Sequence, residues 1–287
     1  MFKKYIYGIA AFMIVLLLMP IGHALMVLNE KLLTNHMFLG AFCIGILGFI
    51  ALQFGVRFNQ KKGLATLLGL LGGILVWTGW VEFSFVWIAH KLAVQPLIEN
   101  GEISTKPEYL VMLSSLGLLV SMLTYFMFSK TRCQFFNWIQ QNLLRIQVKQ
   151  STDSSKKPLA LTTFIETVMI LWTFYLVLLL VYDKDIAGDK HPLTYLVAFG
   201  SLFWSMYLVL NLLKINKFDY AIRYAVPTVI IFWNFVEILG RWNLFTEIWV
   251  QPKDYWLENT IIFLCLVGFI SYYIYENLQA KKLQKNK

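Results

Sequence analysis

Long apolar runs, separated by short polar segments, recur along the whole chain. About 20 apolar residues in a helix, which rises about 1.5 Å per residue, cross the roughly 30 Å hydrocarbon core of a bilayer. The runs are too long for strands and do not alternate between apolar and polar side chains, so they predict helices. We predict an all-α polytopic membrane protein whose eight transmembrane helices cover residues 5–27, 36–58, 64–92, 108–129, 159–182, 192–213, 220–250 and 257–277.

Composition supports the membrane class. Of the 287 residues, 58% are hydrophobic and 14% charged, whereas soluble domains carry about 25% charged residues. An unusually apolar soluble helical protein is the disfavoured alternative. Lys3 and Lys4 before the first run resemble the start of a signal peptide, but the run is longer than a typical signal core and no clean small-x-small cleavage site follows. We therefore interpret this run as a retained helix, with cleavage as the minor alternative.

The longest polar region, residues 130–158, divides the chain into two membrane parts, 1–129 and 159–287. Its first half predicts an amphipathic helix over residues 133–150, lying on the cytoplasmic membrane surface. A hydrophilic linker follows at residues 151–157. The apolar side chains at helical spacing are Phe135, Phe136, Ile139, Leu143 and Ile146, and basic side chains flank them at Arg132, Arg145 and Lys149.

The distribution of positive charge predicts the orientation. With eight spans both termini lie on one side of the membrane, and that side receives 18 of the 25 Lys and Arg residues. Cytoplasmic loops carry the excess of Lys and Arg, so we expect a cell (inner) membrane protein with both termini in the cytoplasm. The net charge of +9 then faces the anionic inner leaflet and does not indicate a nucleic-acid partner.

A weak internal repeat relates the two membrane parts. An even number of spans per repeat would give two parallel four-helix units about an axis along the membrane normal. Only seven positions are identical when residues 36–90 are aligned with 191–245, so the choice of matching residues carries the information. Three informative pairs share a spacing of 155 residues, namely His36 with His191, Glu82 with Glu237, and Trp87 with Trp242.

The paired acids are the strongest candidates for a functional site, because a carboxylate within an apolar helix is costly and usually faces a protein interior or a wet cavity. Glu82 lies 18 residues into its span, about 27 Å from the cytoplasmic end, and similar counts place the other candidates in the same outer layer. The predicted binding residues are His23, His36, Glu82, His191, Glu237 and Arg241.

Each candidate also has a structural interpretation. His36 and His191 could simply open helices at the membrane interface. Glu237 could form a structural ion pair with Arg241, which follows it by four residues on the same helix face. Glu82 could be a protonated acid that hydrogen-bonds to a neighbouring helix.

Three functions remain open from the sequence. A carrier of a small solute, coupled to an ion or proton, would use the paired acids at the interface of the repeats. A membrane enzyme or redox protein could hold a divalent metal with His36, His191, Glu82 and Glu237, since imidazole and carboxylate are suitable ligands. A non-catalytic subunit would need no polar site, and either a homo-oligomer or a partner membrane protein would fit it.

Familiar chemical motifs are missing from the sequence. It contains no HExxH, no clustered His boxes, no GxSxG and no nucleotide-binding loop. The three cysteines, Cys43, Cys133 and Cys265, are scattered and predict neither a disulfide framework nor a thiolate metal site. The predicted partners are therefore the lipid bilayer and a small solute or ion.

Overall fold

The computed structural model describes residues 3–99, 102–129, 134–142, 144–145 and 158–285. These residues form eleven α-helices, one π-helical segment and one antiparallel hairpin. The helices are α1 (Lys3–Leu32), α2 (Met37–Arg57), α3 (Lys62–Val76), α4 (Phe83–Lys91), α5 (Pro107–Leu113), α6 (Leu116–Phe128), α7 (Gln134–Asn142), α8 (Leu159–Tyr182), α9 (Pro192–Leu212), α10 (Phe218–Arg241) and α11 (Trp256–Lys285). The π-helical segment is Trp77–Glu82, and the hairpin pairs β1 (Leu97–Glu99) with β2 (Glu102–Thr105).

Seven helices in the described residues are long and apolar enough to cross a membrane, which confirms the multi-span helical class. Six of these spans correspond to α1, α2, α8, α9, α10 and α11. The seventh, Lys62–Lys91, is a continuous span made of α3, the π-helical segment and α4. An eighth span is present if α5 and α6, which meet at a 49° bend, cross as a pair.

The bend corrects the prediction of a single helix over residues 108–129. Ser114 and Ser115 stand at the break, and each hydroxyl donates to the carbonyl three residues earlier at 2.6 Å. Such side-chain bonds compete with the regular helix ladder. The Trp172 indole on α8 also donates to Ser115 Oγ at 2.9 Å. A serine pair and one contact from α8 thus turn a predicted straight span into two helices.

The seventh predicted span and the loop before the fourth also differ from the sequence prediction. The span predicted over residues 220–250 ends as helix at Arg241, and residues 242–255 form a turn-rich loop. Asn243 adopts the left-handed conformation there, with φ of 55°, which asparagine tolerates better than most residues. The loop predicted between the third and fourth spans contains the β1–β2 hairpin, with Ile98 opposite Ile103.

The centre of the bundle is built from α1, α3, α8 and α10. α1 packs against α10 and α3 packs against α8, while α2 covers α3 and α9 covers α10. Small residues allow the close approach of α3 to α8. A Cβ on Gly69 would lie 2.3 Å from the Ala160 carbonyl oxygen, and one on Gly73 would lie 2.9 Å from Thr167 Cβ. Two glycines four residues apart are a common device for close helix packing in membranes.

The helix α7 lies within the predicted amphipathic segment. Phe136 is buried and its ring stacks on Phe126 of α6 at 5.4 Å between centroids. The Gln140 side chain donates to the carbonyls of Phe126 and Ser129, each at 3.0 Å. This helix therefore presents Phe136 and Gln140 to the bundle. The remainder of the predicted segment, at positions 133, 143 and 146–150, and the linker 151–157 lie outside the described residues.

Candidate functional site

A cavity of about 780 Å³ opens between α1, α8, α10 and the loop 242–255. This volume falls within the usual range for small-molecule sites, about 300–1,000 Å³. Its polar side chains include His23, Lys106, Asn234, Glu237, Arg241 and Glu247, and its aromatic wall is formed by Tyr109, Phe174, Tyr175, Tyr182, Trp233 and Phe245. We call this space the Glu237 cavity.

Glu237 is held by two side chains at the wall of this cavity. The Trp233 indole donates to Glu237 Oε1 at 2.6 Å, and His23 Nε2 lies 3.4 Å from the same oxygen. Trp233 precedes Glu237 by four residues, which places both on one face of α10. The His23 imidazole comes from α1 and stacks on the Trp233 ring, with 6.4 Å between centroids. The packing of α1 on α10 therefore completes a His–Trp–Glu cluster.

A second carboxylate enters the same cavity from the loop. Glu247 folds over Gly240, where a Cβ would lie only 1.8 Å from Glu247 Oε1. Burial raises the pKa of Glu247, the neighbouring charge of Glu237 raises that pKa further, and His23 opposes the change. One side of the cavity thus collects two carboxyl groups and an imidazole, which together can bind and release protons or hold a cationic group.

Cationic side chains line the remainder of the cavity rim. Arg241 Nε donates to Asp189 Oδ1 at 2.5 Å, and its guanidinium lies 4.3 Å from the centroid of the Tyr182 ring. Lys106 Nζ lies 4.0 Å from Glu108. The sequence offered an ion pair between Glu237 and Arg241 as one structural interpretation, and the structure shows Arg241 paired with Asp189 in the loop before α9.

Glu82 occupies a much smaller space. Glu82 is only 4% exposed, and the Tyr175 hydroxyl donates to Glu82 Oε1 at 3.5 Å. The adjoining cavity is about 30 Å³ and is also lined by Thr78 and His23, which is room for about one water molecule. His23 and Tyr175 line both this small cavity and the Glu237 cavity. The two acids therefore face neighbouring spaces that share one wall.

The two predicted interfacial histidines do not line either space. His36 is exposed at the start of α2. His191 is exposed at the start of α9, where its Nδ1 accepts a hydrogen bond from the Leu193 backbone N–H at 3.2 Å. Both occupy the helix-opening positions that the structural interpretation expected. Within the described ranges, no group of three or more His, Cys, Asp or Glu side chains is arranged to hold a metal, so the predicted metal ligands are not brought together.

Several cavity residues went unnoticed in the sequence. Trp233 had a usable signal, since it stands one turn before an intramembrane acid, and Asn234 is a polar residue in an apolar run. Glu247 lies in a loop, as does Asp189, the ion-pair partner of Arg241, and no sequence pattern links either residue to the cavity. The positions of Glu247 and Asp189 depend on where α10 ends and on how their loops pack against it.

The chain is a multi-span helical membrane protein with a polar, aromatic-walled cavity at one end of its bundle. Comparison of the chain with protein-family models, with curated proteins and with solved structures finds no match. Its function must therefore be argued from the chemistry of its own residues.

Proposed function

We propose that this protein is a proton-coupled carrier that binds a small polar solute in the Glu237 cavity. The observation that supports this most directly is the position of Glu237, held by His23 and Trp233 on the wall of a cavity large enough for a small molecule. Intramembrane carboxyl and imidazole groups are typical of proton relays and substrate pathways. The carboxyl group of Glu237 is the proton-binding group in this proposal, and His23 is its exchange partner.

The lining indicates the class of solute. Glu237 and Glu247 provide negative charge beside aromatic rings, which suits a cationic amine because ring faces attract cations. Lys106 on the rim would interact with an anionic or carbonyl group at the other end of the solute. We therefore favour a small amine or zwitterion over an apolar molecule.

We further propose that the chain contains two parallel four-helix repeats. α2 and α9 each have 21 residues, and their bounds differ by the same 155 positions that separate the paired acids. The packing follows the same relation, because α1 of the first half contacts α10, while α8 of the second half contacts α3. Each unit thus contributes its first helix to the third helix of the other unit.

The clusters around the two acids support the same relation. In the second half, Trp233 and Glu237 meet His23 from the first helix of the other half. In the first half, Trp77 and Glu82 meet Tyr175, whose ring lies 5.5 Å from that of Trp77 between centroids. A tryptophan, an acid and a ring from the opposite half therefore occur twice.

The π-helical segment explains a one-residue mismatch between the clusters. Trp233 stands four residues before Glu237, whereas Trp77 stands five residues before Glu82. A π-bulge is one extra residue accommodated within an α-helix, and such bulges are frequent at functional sites. The segment Trp77–Glu82 lies at that point in the chain, so the acid returns to the same helix face despite the extra residue.

The unequal spaces suggest unequal roles. Glu237 borders the open cavity and meets the solute, while Glu82 borders a space for about one water molecule and holds a proton. His23 and Tyr175 separate the two spaces and are placed to pass a proton between the acids. In this scheme the halves share an origin and differ in function.

The proposed orientation follows the excess of Lys and Arg at one end of the bundle. The chain lies in the cell (inner) membrane with both termini in the cytoplasm. The loop 242–255, which closes one side of the Glu237 cavity, then faces outward. The solute enters from the external side.

The test uses the purified protein in vesicles that enclose a pH-sensitive dye. Amines, amino acids and sugars that raise its thermal stability are first identified, and each is then added to the vesicles. We expect an amine or zwitterion to produce a proton flux that Glu237→Gln reduces at least about tenfold, consistent with loss of a proton-transfer group. Glu258→Gln, an exposed acid at the start of α11, is the control and should retain the flux. Uptake of a binding solute without proton flux, or an unchanged flux in Glu237→Gln, would contradict the proposal.

A further inference from the structure

A cavity of about 570 Å³ lies at the end of the bundle opposite the Glu237 cavity. It is bounded by the loops that precede α3 and α10 and by parts of α1 and α11. We propose that this cavity binds one phospholipid molecule with a negatively charged headgroup. The proposal is independent of solute transport.

The polar end of the cavity carries a net positive charge. Lys61, Lys62 and Lys217 line it, against the single carboxylate of Asp219. The lysines come from the loops before α3 and α10, so they approach the same space from both membrane parts of the chain. Clustered basic side chains between spans on the cytoplasmic side are a recognised arrangement for anionic headgroups.

The backbone at this end also favours an anion. Lys61 and Lys217 are the N-cap residues of α3 and α10, and neither forms a side-chain capping hydrogen bond. The two N-cap side chains therefore do not satisfy the first-turn N–H groups of these helices, which are 15 and 24 residues long and begin beside one cavity. Helix N-termini combine free N–H donors with the positive end of the helix dipole, which is favourable for phosphate.

The other end of the cavity is apolar, and this distinguishes a lipid from a free anion. The apolar and aromatic lining residues are Tyr7, Leu64, Phe218, Tyr273 and Ile274. Phe218 and Tyr273 are buried, whereas Ile274 on α11 is 44% exposed at the outside of the bundle. The cavity lining therefore combines basic side chains with apolar ones, and it includes an exposed residue on the outer face of α11. A lipid satisfies both ends, while inorganic phosphate would use only the basic one.

The depth of the cavity agrees with a headgroup position. Tyr7 lies near the start of α1, Leu64 near the start of α3 and Phe218 at the start of α10. Three spans thus begin at this level, where the hydrocarbon core meets the headgroups. A phosphate at the lysines would leave its acyl chains beside Ile274 and the surrounding lipid.

The experiment is native mass spectrometry of the full-length protein, purified in a mild detergent with either phosphatidylglycerol or phosphatidylcholine. We expect one phosphatidylglycerol to remain bound and phosphatidylcholine to be lost under the same activation. Replacing Lys61, Lys62 and Lys217 together by Gln should weaken this retention at least about tenfold, since each basic residue near the surface contributes to anionic lipid binding. Replacing Lys31, Lys190 and Lys253 by Gln is the control, since these exposed lysines stand at the opposite end and the change in net charge is the same.

Three results would overturn the proposal. These are equal retention of the two lipids by the unmodified protein, unchanged retention after the Lys61, Lys62 and Lys217 substitutions, and release of the lipid by millimolar inorganic phosphate. The comparison of lipids on the unmodified protein needs no variant, so the proposal remains testable even if the triple variant folds poorly.

Discussion

Glu82 and Glu237 border cavities of very different size, and their helices continue for different lengths beyond the acid. After Glu82 the helix continues to Lys91, and α5 packs against α4. After Glu237 the helix ends at Arg241, and the loop that follows lines a wide space. The adjoining cavities measure about 30 Å³ and 780 Å³ respectively. Similar acids in similar helices thus border a small space in one half and a large one in the other.

The hydrogen bonds to the two acids also differ, because the one to Glu237 is shorter than the one to Glu82. Glu237 receives a short bond of 2.6 Å from Trp233 on its own helix. Glu82 receives a contact of 3.5 Å from Tyr175 on a neighbouring helix. The short hydrogen bond fixes the Glu237 carboxyl group more firmly than the longer contact fixes that of Glu82. Because different residues donate to the two acids, each cluster can be changed by mutation without altering the other.

The largest expected effect comes from deleting one residue in each helix. Deletion of Val81 should convert the π-helical segment to a regular α-helix and keep Glu82 on its face, so the protein should remain folded. Deletion of Phe235 in α10, which has no bulge to remove, should rotate Glu237 by about 100° and shift it about 1.5 Å. Both residues are half-buried. Size-exclusion chromatography and thermal unfolding in detergent should show folded protein only for the first deletion. If both deletions caused the same loss of folded protein, the interpretation of the π-helical segment as a one-residue insertion would be wrong.

An intermediate effect should follow from removing the donor to each acid. Trp233→Phe removes the bond to Glu237 and should lower the free energy of unfolding by about 1 to 3 kcal/mol. Tyr175→Phe removes the weaker contact with Glu82 and should cost less than about 1 kcal/mol, because hydrogen bonds weaken at such distances. Denaturant unfolding of the two variants in the same detergent gives the comparison. A larger loss of stability in Tyr175→Phe would show that the Glu82 cluster depends on its hydrogen bond more than the Glu237 cluster does.

A smaller effect concerns pH and the loop acid. The pKa of Glu247 is raised in the folded protein above its ordinary value of 4.5. In the unfolded chain Glu247 therefore loses its proton first, so stability should fall as pH rises from about 4.5 through the folded pKa. Glu247→Gln should flatten this part of the stability curve, measured as melting temperature between about pH 4 and 8. A curve as steep as that of the unmodified protein would assign the pH dependence to other groups.

The last prediction establishes which side of the membrane the Glu237 cavity faces. Cysteines are placed at Asn243 and Asn216, both exposed, after Cys43, Cys133 and Cys265 are replaced by Ser. A membrane-impermeant thiol reagent added to whole cells should label the cysteine at position 243 and not the one at 216. The opposite pattern would reverse the orientation and turn the Glu237 cavity towards the cytoplasm.

The sequence was sufficient for the membrane class because a backbone in hydrocarbon must satisfy its own hydrogen bonds, so long apolar runs become helices. It also identified Glu82 and Glu237, since carboxyl groups in apolar helices are costly and few. The bend at Ser114 and Ser115 could not be read from the apolar pattern, which continues through it. One contact from Trp172 on another helix helps to hold that bend.

Only the tertiary structure decided which residues surround the acids. His23 meets Glu237 because α1 packs on α10, although more than 200 positions separate the two residues. His36 and His191 matched the acids in spacing, yet both remain exposed at helix starts. Spacing along a chain gives the position on one helix, and the face that becomes buried depends on which helices pack against it. The apolar pattern therefore determined the spans, and contacts between distant helices and loops determined the site.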